Sequence, residues 1–249
     1  MRVKTAVSMG MFVCAACFVS PLWSQLYAPP GGKVSFGVVS RNIWRGFDVL
    51  PDNEPALRGA LHYVFGSTGF ETLIVGQTAF SNRDEIKGRH RAKDIDEIDL
   101  TLKYFRSLSP SFGLTVGLNQ YFFPRIDDFD NAYSPEGFVG LTLQNIPLFP
   151  TVTFFYDFNL GDDLYVRLSL EQFVPMGERL FLLKIAAGYN NGQYGVSSGI
   201  SDIELNFSTD FNISVFTLTP SINWVVAPEN SVNRNNEIWF GGILSKRLP

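Results

Sequence analysis

The sequence predicts an all-β chain: a transmembrane, antiparallel, up-and-down β-barrel of about twelve strands behind an N-terminal signal peptide. Three observations lead there. Apolar and polar residues alternate with period two along short runs that follow one another through the chain. Although 45% of the residues are hydrophobic, no apolar run after the first thirty residues is long enough for a membrane-spanning helix. The connections between runs alternate between short turns and long loops, so that one end of the molecule carries turns and the other carries loops.

The first element is the leader. Arg2 and Lys4 precede an apolar run over 9–19 and the small residues Ser20 and Ser24, the three-part layout of a secretory signal peptide. A cut near Ser24 gives a signal peptide over 1–24, a short periplasmic segment over 25–33 and a barrel over 34–249; a lipoprotein cut before Cys17, after Ala15-Ala16, is the alternative. Both cysteines, Cys14 and Cys17, lie in the leader, so the exported chain has no disulfide to stabilise it. Losing Arg2 and Lys4 moves the formal charge from −4 to about −6, a mild acidity that argues against nucleic acid as a partner.

The strands follow in order. The first run, 34–45, sets Val34, Phe36 and Val38 on one face and Ser35, Gly37, Val39, Arg41, Ile43 and Arg45 on the other. A charge on the lipid face near the midplane costs about 2–4 kcal/mol, so the arginine face is expected inside. The second run, 55–65, places Ala56, Arg58, Ala60, His62 and Val64 inward, and a third covers 69–81. In the fourth, 96–106, Ile98, Leu100, Leu102 and Tyr104 alternate with Glu97, Asp99, Thr101 and Lys103. The fifth, 112–123, sets Leu114, Val116 and Leu118 against Thr115, Gly117 and Asn119, and the sixth, 136–145, offers Gly140, Thr142 and Gln144 to its polar face. The seventh, 150–159, alternates Val152, Phe154, Tyr156 and Phe158 with Thr153, Phe155 and Asp157. The eighth, 164–174, alternates Leu164, Val166, Leu168 and Leu170 with Tyr165, Arg167, Ser169 and Glu171. The ninth, 179–190, carries Ala186 and Gly188 on its polar face, and runs over 200–208, 212–225 and 236–247 complete the set.

A soluble sandwich alternates in the same way, so the residues on the polar face decide the class. Several strands offer Gly, Ala, Thr, Asn or Gln there instead of the dense Lys and Glu of a solvated sheet, which suits a crowded lumen. Aromatic residues add two girdles. Phe65, Phe70, Tyr104, Phe112, Phe173, Phe181, Phe207 and Phe211 fall beside the short turns, and Phe80, Phe122, Phe138, Tyr165, Tyr189, Trp224 and Trp239 beside the long loops.

The stretch from Ser40 to the Arg45-Gly46 pair, followed by Glu54-Pro55-Ala56 and Gly59, resembles the opening of the TorF-like porins, bacterial outer-membrane barrels of largely unassigned function. Glu97-Ile98-Asp99-Leu100 with Tyr104, and later Tyr121-Phe122-Phe123-Pro124, are similar to that family's next blocks. The resemblance covers about 34–145. It departs at Trp44, where the family commonly has Tyr, and at Leu248-Pro249, where outer-membrane barrels generally finish on an aromatic residue read by the assembly machinery. It implies residence in the bacterial outer membrane, with membrane lipids and that machinery as partners.

The charged inner positions are the candidate site. The guanidinium groups of Arg41, Arg45 and Arg58 would gather at one mouth, and His62, Glu97, Asp99, Lys103, Arg167 and Glu171 are the other pore-lining candidates. One reading is a basic constriction that draws anionic solutes; the other pairs each arginine with a lumen carboxylate among Glu71, Glu97, Asp99, Asp157, Glu171, Asp202 and Glu204. Acidic candidates outnumber basic ones inside, which favours pairing. The loop over 82–94 is rich in Arg and Lys, and Asp127, Asp128, Asp130 and Asn131 lie close together without the full Ca²⁺-loop pattern. With two histidines, His62 and His90, and no nucleophile elbow, metal-ligand cluster or phosphate loop, neither an enzyme nor a cofactor is expected. The functional expectation is a porin-like channel for small hydrophilic solutes, with a closed structural or surface-binding barrel as the alternative.

Overall fold

The computed structural model describes residues 30–49, 54–80, 95–124, 126 and 132–248. The expected signal peptide, the basic loop over 82–94 and the acidic residues over 127–131 lie outside them.

The chain runs through β1 (Gly31–Val39), a small hairpin of β2 (Ile43–Trp44) and β3 (Phe47–Asp48), then β4 (Ala56–Val64), β5 (Phe70–Ala79), β6 (Glu97–Ser109) and β7 (Phe112–Phe122). It continues with β8 (Tyr133–Leu143), β9 (Thr151–Asp157), β10 (Leu164–Met176), β11 (Arg179–Asn190), a single 3-10 turn at Gln193–Gly195, β12 (Gly199–Thr209), β13 (Phe211–Ile213), β14 (Phe216–Val226) and β15 (Glu237–Arg247). Each long strand pairs antiparallel with the next, and β1 returns to β15 in a register from Lys33 opposite Arg247 to Val39 opposite Gly241. The result is a closed barrel of twelve strands, β1, β4 to β12, β14 and β15. Closure leaves no sheet edge in lipid and pairs backbone donors and acceptors between neighbours.

The expected alternation sets the faces. Val34, Phe36 and Val38, Leu100 and Leu102, Leu118, Phe154 and Tyr156, and Leu168 are all exposed on the outer surface. Buried groups are largely polar, including Gln77, Ser134, Glu136, Asp157, Asn190 and Asp202. The molecule is therefore apolar outside and hydrogen-bonded inside, the inverse of a soluble sandwich. A small apolar core cluster, Val39 and Ala56 with Ala79 and Trp239, sits inside the wall near the loop end.

Two strand expectations are corrected. The first strand ends at Val39 rather than at residue 45, because the segment after Ser40 turns back on itself as β2 and β3. The eleventh begins at Phe216 rather than 212, because 211–213 pairs with the start of β14 as an overhanging hairpin turned through Ser214, at φ +56°. Among the aromatics expected in the loop-side girdle, Tyr165 is fully buried and Phe138 packs on Phe155. Both share the inward parity of their strands.

Candidate functional site

The hairpin is built from Asn42 to Val49. Ile43 stands opposite Asp48 and Trp44 opposite Phe47, so the turn contains only Arg45 and Gly46. Their φ values are +50° and +85°, the double left-handed conformation of a two-residue type I′ turn. Gly46 meets this demand freely, and it is also hemmed in. A Cβ at position 46 would lie 2.9 Å from the Ser201 carbonyl oxygen and 2.9 Å from Val232. Arg45, without a branch at Cβ, is held in a conformation non-glycine residues avoid, so surrounding contacts must hold it there.

Those contacts lie inside the barrel. Arg45, 5% exposed, reaches Glu136 on β8, which is fully buried; Nη1 donates to Oε2 at 2.6 Å and Nη2 to Oε1 at 2.9 Å. Arg45 Nη1 also donates to the Gln193 side-chain oxygen at 3.1 Å. The guanidinium carbon lies over the rings of Trp44, Phe155 and Tyr165, 4.3, 4.5 and 4.3 Å from their centroids. Glu136 is further satisfied by Asn119 Nδ2 at 2.9 Å and the Tyr121 hydroxyl at 3.0 Å. A desolvated ion pair is tolerable only when its remaining lone pairs and protons are also bonded, and this one meets that condition.

Other loops close around the hairpin. Trp44 meets Tyr121 and Tyr194 edge-on, and Phe47 meets Tyr194 edge-on. The Tyr194 hydroxyl donates to Asp157 Oδ2 at 2.9 Å. Burial pushes the Tyr194 phenol above its ordinary range, and the Asp157 carboxylate adds to the rise, so it stays a neutral donor. Asn233 donates to the Gly46 carbonyl at 3.2 Å. The hairpin is thus packed inside the barrel at its loop end.

The other candidate residues fall into separate groups. Arg41 pairs with Glu237 on β15. Arg58 donates to Gln77 at 3.2 Å and to Asn42, Gln77 donates to Glu97, and Asn42 donates to Gln77 at 2.9 Å. Asp99 lines the wall beside this group, and its Oδ1 is buried without a hydrogen bond among the described residues. His62 and Lys103 both hold Glu71, at 2.9 and 3.1 Å. Arg167 pairs with Glu204, lies 3.8 Å from Asp202 and donates to the Tyr165 hydroxyl at 3.3 Å. Glu171 pairs with Lys184 at 2.8 Å. The arginines therefore do not gather as a basic ring at one mouth, and Arg41 and Arg45 stand on a turned-in segment instead of a strand.

Sequence reasoning overlooked Glu136 and Glu237, the partners of Arg45 and Arg41. The signal was present: Glu136 shares parity with Gly140 and Thr142, and Glu237 opens the last strand. Tyr165 was expected at an interface, yet its hydroxyl bonds Asp202 at 3.0 Å within the lumen.

Beyond the hairpin, toward the turns, the lumen holds a further space. This space, of about 350 Å³, is lined by Glu71, Lys103, Thr115, Thr142, Ser169 and Glu171, among others. Its lining mixes hydroxyls and both signs of charge with the rings of Phe105, Phe149 and Phe173, a surface compatible with water and small polar solutes.

No family model matches the sequence. No curated protein matches it either. Solved structures do: the NanC porin in a rhombohedral crystal form is 13% identical, over 88% of this chain and 100% of that one, with a TM-score of 0.53. LpxR from Salmonella typhimurium is 9% identical over 87% of this chain and 100% of its own, with a TM-score of 0.47. The translocator domain of the autotransporter NalP from Neisseria meningitidis is 8% identical over 89% of this chain and 90% of its own, also at 0.47. At 13% identity the likeness to NanC is one of fold. Together with the apolar outer belt, it makes this chain an outer-membrane β-barrel.

Proposed function

We propose that this barrel, of the kind the TorF-like resemblance implies, is a porin-like path for small hydrophilic solutes, and that the hairpin of β2 and β3 is its constriction. The observation that supports this reading is the hydroxyl- and charge-lined space of about 350 Å³ on the turn side. The exposed apolar belt supports outer-membrane lipids as its surroundings, and the assembly machinery of that membrane as the system that inserts it. His62 is bonded to Glu71 rather than to a serine hydroxyl, which supports a role without catalysis.

A closed barrel is the second reading, favoured by the full satisfaction of Glu136 and the burial of Arg45. Swelling of proteoliposomes in a series of neutral sugars separates the two. Uptake that falls with solute size is the result expected of a constricted path. No uptake of the smallest sugar by protein shown to be folded would leave the closed barrel.

A further inference from the structure

At the turn end, β15, β1 and β4 bring three basic side chains into one row. Lys33 stands directly opposite Arg247 on one side and directly opposite His62 on the other. Directly opposed residues share a face of the sheet, and here it is the lumen face carrying Ser35 and Ser245, the next inward pair. The like charges of Lys33 and Arg247 placed this way repel one another, and elsewhere in this barrel such groups are cancelled by carboxylates.

Lys33 and Arg247 have no hydrogen-bond or ion-pair partner among the described residues. The acids lining the same region are already engaged. Glu71 holds His62 and Lys103, and Asp210 accepts the Thr219 hydroxyl at 2.6 Å. The row borders two adjoining spaces that share Lys33 and Ser35. One, of about 730 Å³, is lined by Asp210, Thr217, Ser245 and Arg247 among others, and the second, of about 290 Å³, reaches His62, Glu71 and Lys103.

We propose that the Arg247–Lys33–His62 row is a binding site for small, multiply charged oxyanions at the turn-side mouth of the lumen. Two uncancelled cations focus potential into a cleft walled by low-dielectric protein, and the neighbouring hydroxyls supply further donors to anionic oxygens. The arginines of the loop side are spent on structural pairing, so attraction for anions resides at the opposite end from the one the sequence suggested. As the solute class of the proposed path the site rests on that reading, but binding itself is measurable even in a closed barrel.

The test is isothermal titration of the folded protein in detergent micelles at low salt, with pyrophosphate and citrate as probes and glucose as the neutral control. Saturable, salt-sensitive binding of the anions is expected. It should weaken about tenfold or more when Lys33→Ser is combined with Arg247→Ser, since each lost charge-assisted bond is a large part of so small an interface, and it should survive Arg41→Ala. Should the double variant fail to fold, Lys33→Gln against Lys33→Arg carries the same comparison, with only the first weakening binding. Absence of saturable binding to the folded wild-type barrel, or undiminished affinity in the charge-removing variants, would overturn the proposal. Pyrophosphate binding by a barrel that admits no sugar would support the site while removing the solute-path reading.

Discussion

Arg45 and Glu136, ninety-one residues apart in sequence, meet through two parallel hydrogen bonds of 2.6 and 2.9 Å inside the barrel. This contact ties the first loop to the far wall. A guanidinium suits it because one fork can face a carboxylate while the cation lies against the rings of Trp44, Phe155 and Tyr165.

Removing either partner leaves a buried charge. Glu136→Gln and Arg45→Ala should each destabilise the barrel by about 3–5 kcal/mol, read as a lower temperature at which the folded, fast-migrating gel band is lost. Arg45→Lys should recover only part of the loss, because an ammonium group cannot bridge both carboxylate oxygens.

Glu171 and Lys184 form the contrasting case. Their side chains are 44% and 43% exposed, so solvent screens the pair. Glu171→Gln should shift stability by no more than about 1 kcal/mol in the same assay.

Gly46→Ala is a test of the turn. The new Cβ meets the Ser201 carbonyl and Val232 at 2.9 Å, and the backbone stands at φ +85°. Strain of about 1–2 kcal/mol from the left-handed conformation, added to the clash, should loosen the hairpin. Faster proteolysis within 41–49 in the folded barrel is the expected result.

Tyr165→Phe removes the hydroxyl that donates to the fully buried Asp202. Asp202 keeps Ser201 as a donor at 2.6 Å, so the expected cost is about 1–3 kcal/mol. Gly188→Ala should cost at least as much, since its Cβ would be driven into both Tyr165 and Asp202.

The twelve-stranded closure and the two faces were legible because lipid outside and a polar lumen inside force strict alternation, as in Leu164 to Glu171. The hairpin was not. Arg41 and Arg45 share the parity of Ser35 and Gly37, so both read as inward positions on a longer strand, even though Ser40 and Asn42 break the apolar outward face. Only the Arg45-Gly46 pair hinted at a reversal, and Arg-Gly is a weaker turn signal than Asn-Gly or Asp-Gly. Pairing between arginines and carboxylates was legible as a principle but not in its partners, because which residues meet across a lumen depends on stagger and on how deep a loop enters. Neither is written in period two.

The measurement that bears most directly on the role of the hairpin is single-channel recording in planar bilayers, comparing the wild-type barrel with one in which 41–48 is replaced by a short Gly-Ser turn. Small or rare steps in the wild type, and larger, longer-lived steps in the replaced barrel, are expected if the hairpin is the constriction. Equal conductance in two barrels shown to be folded would contradict it.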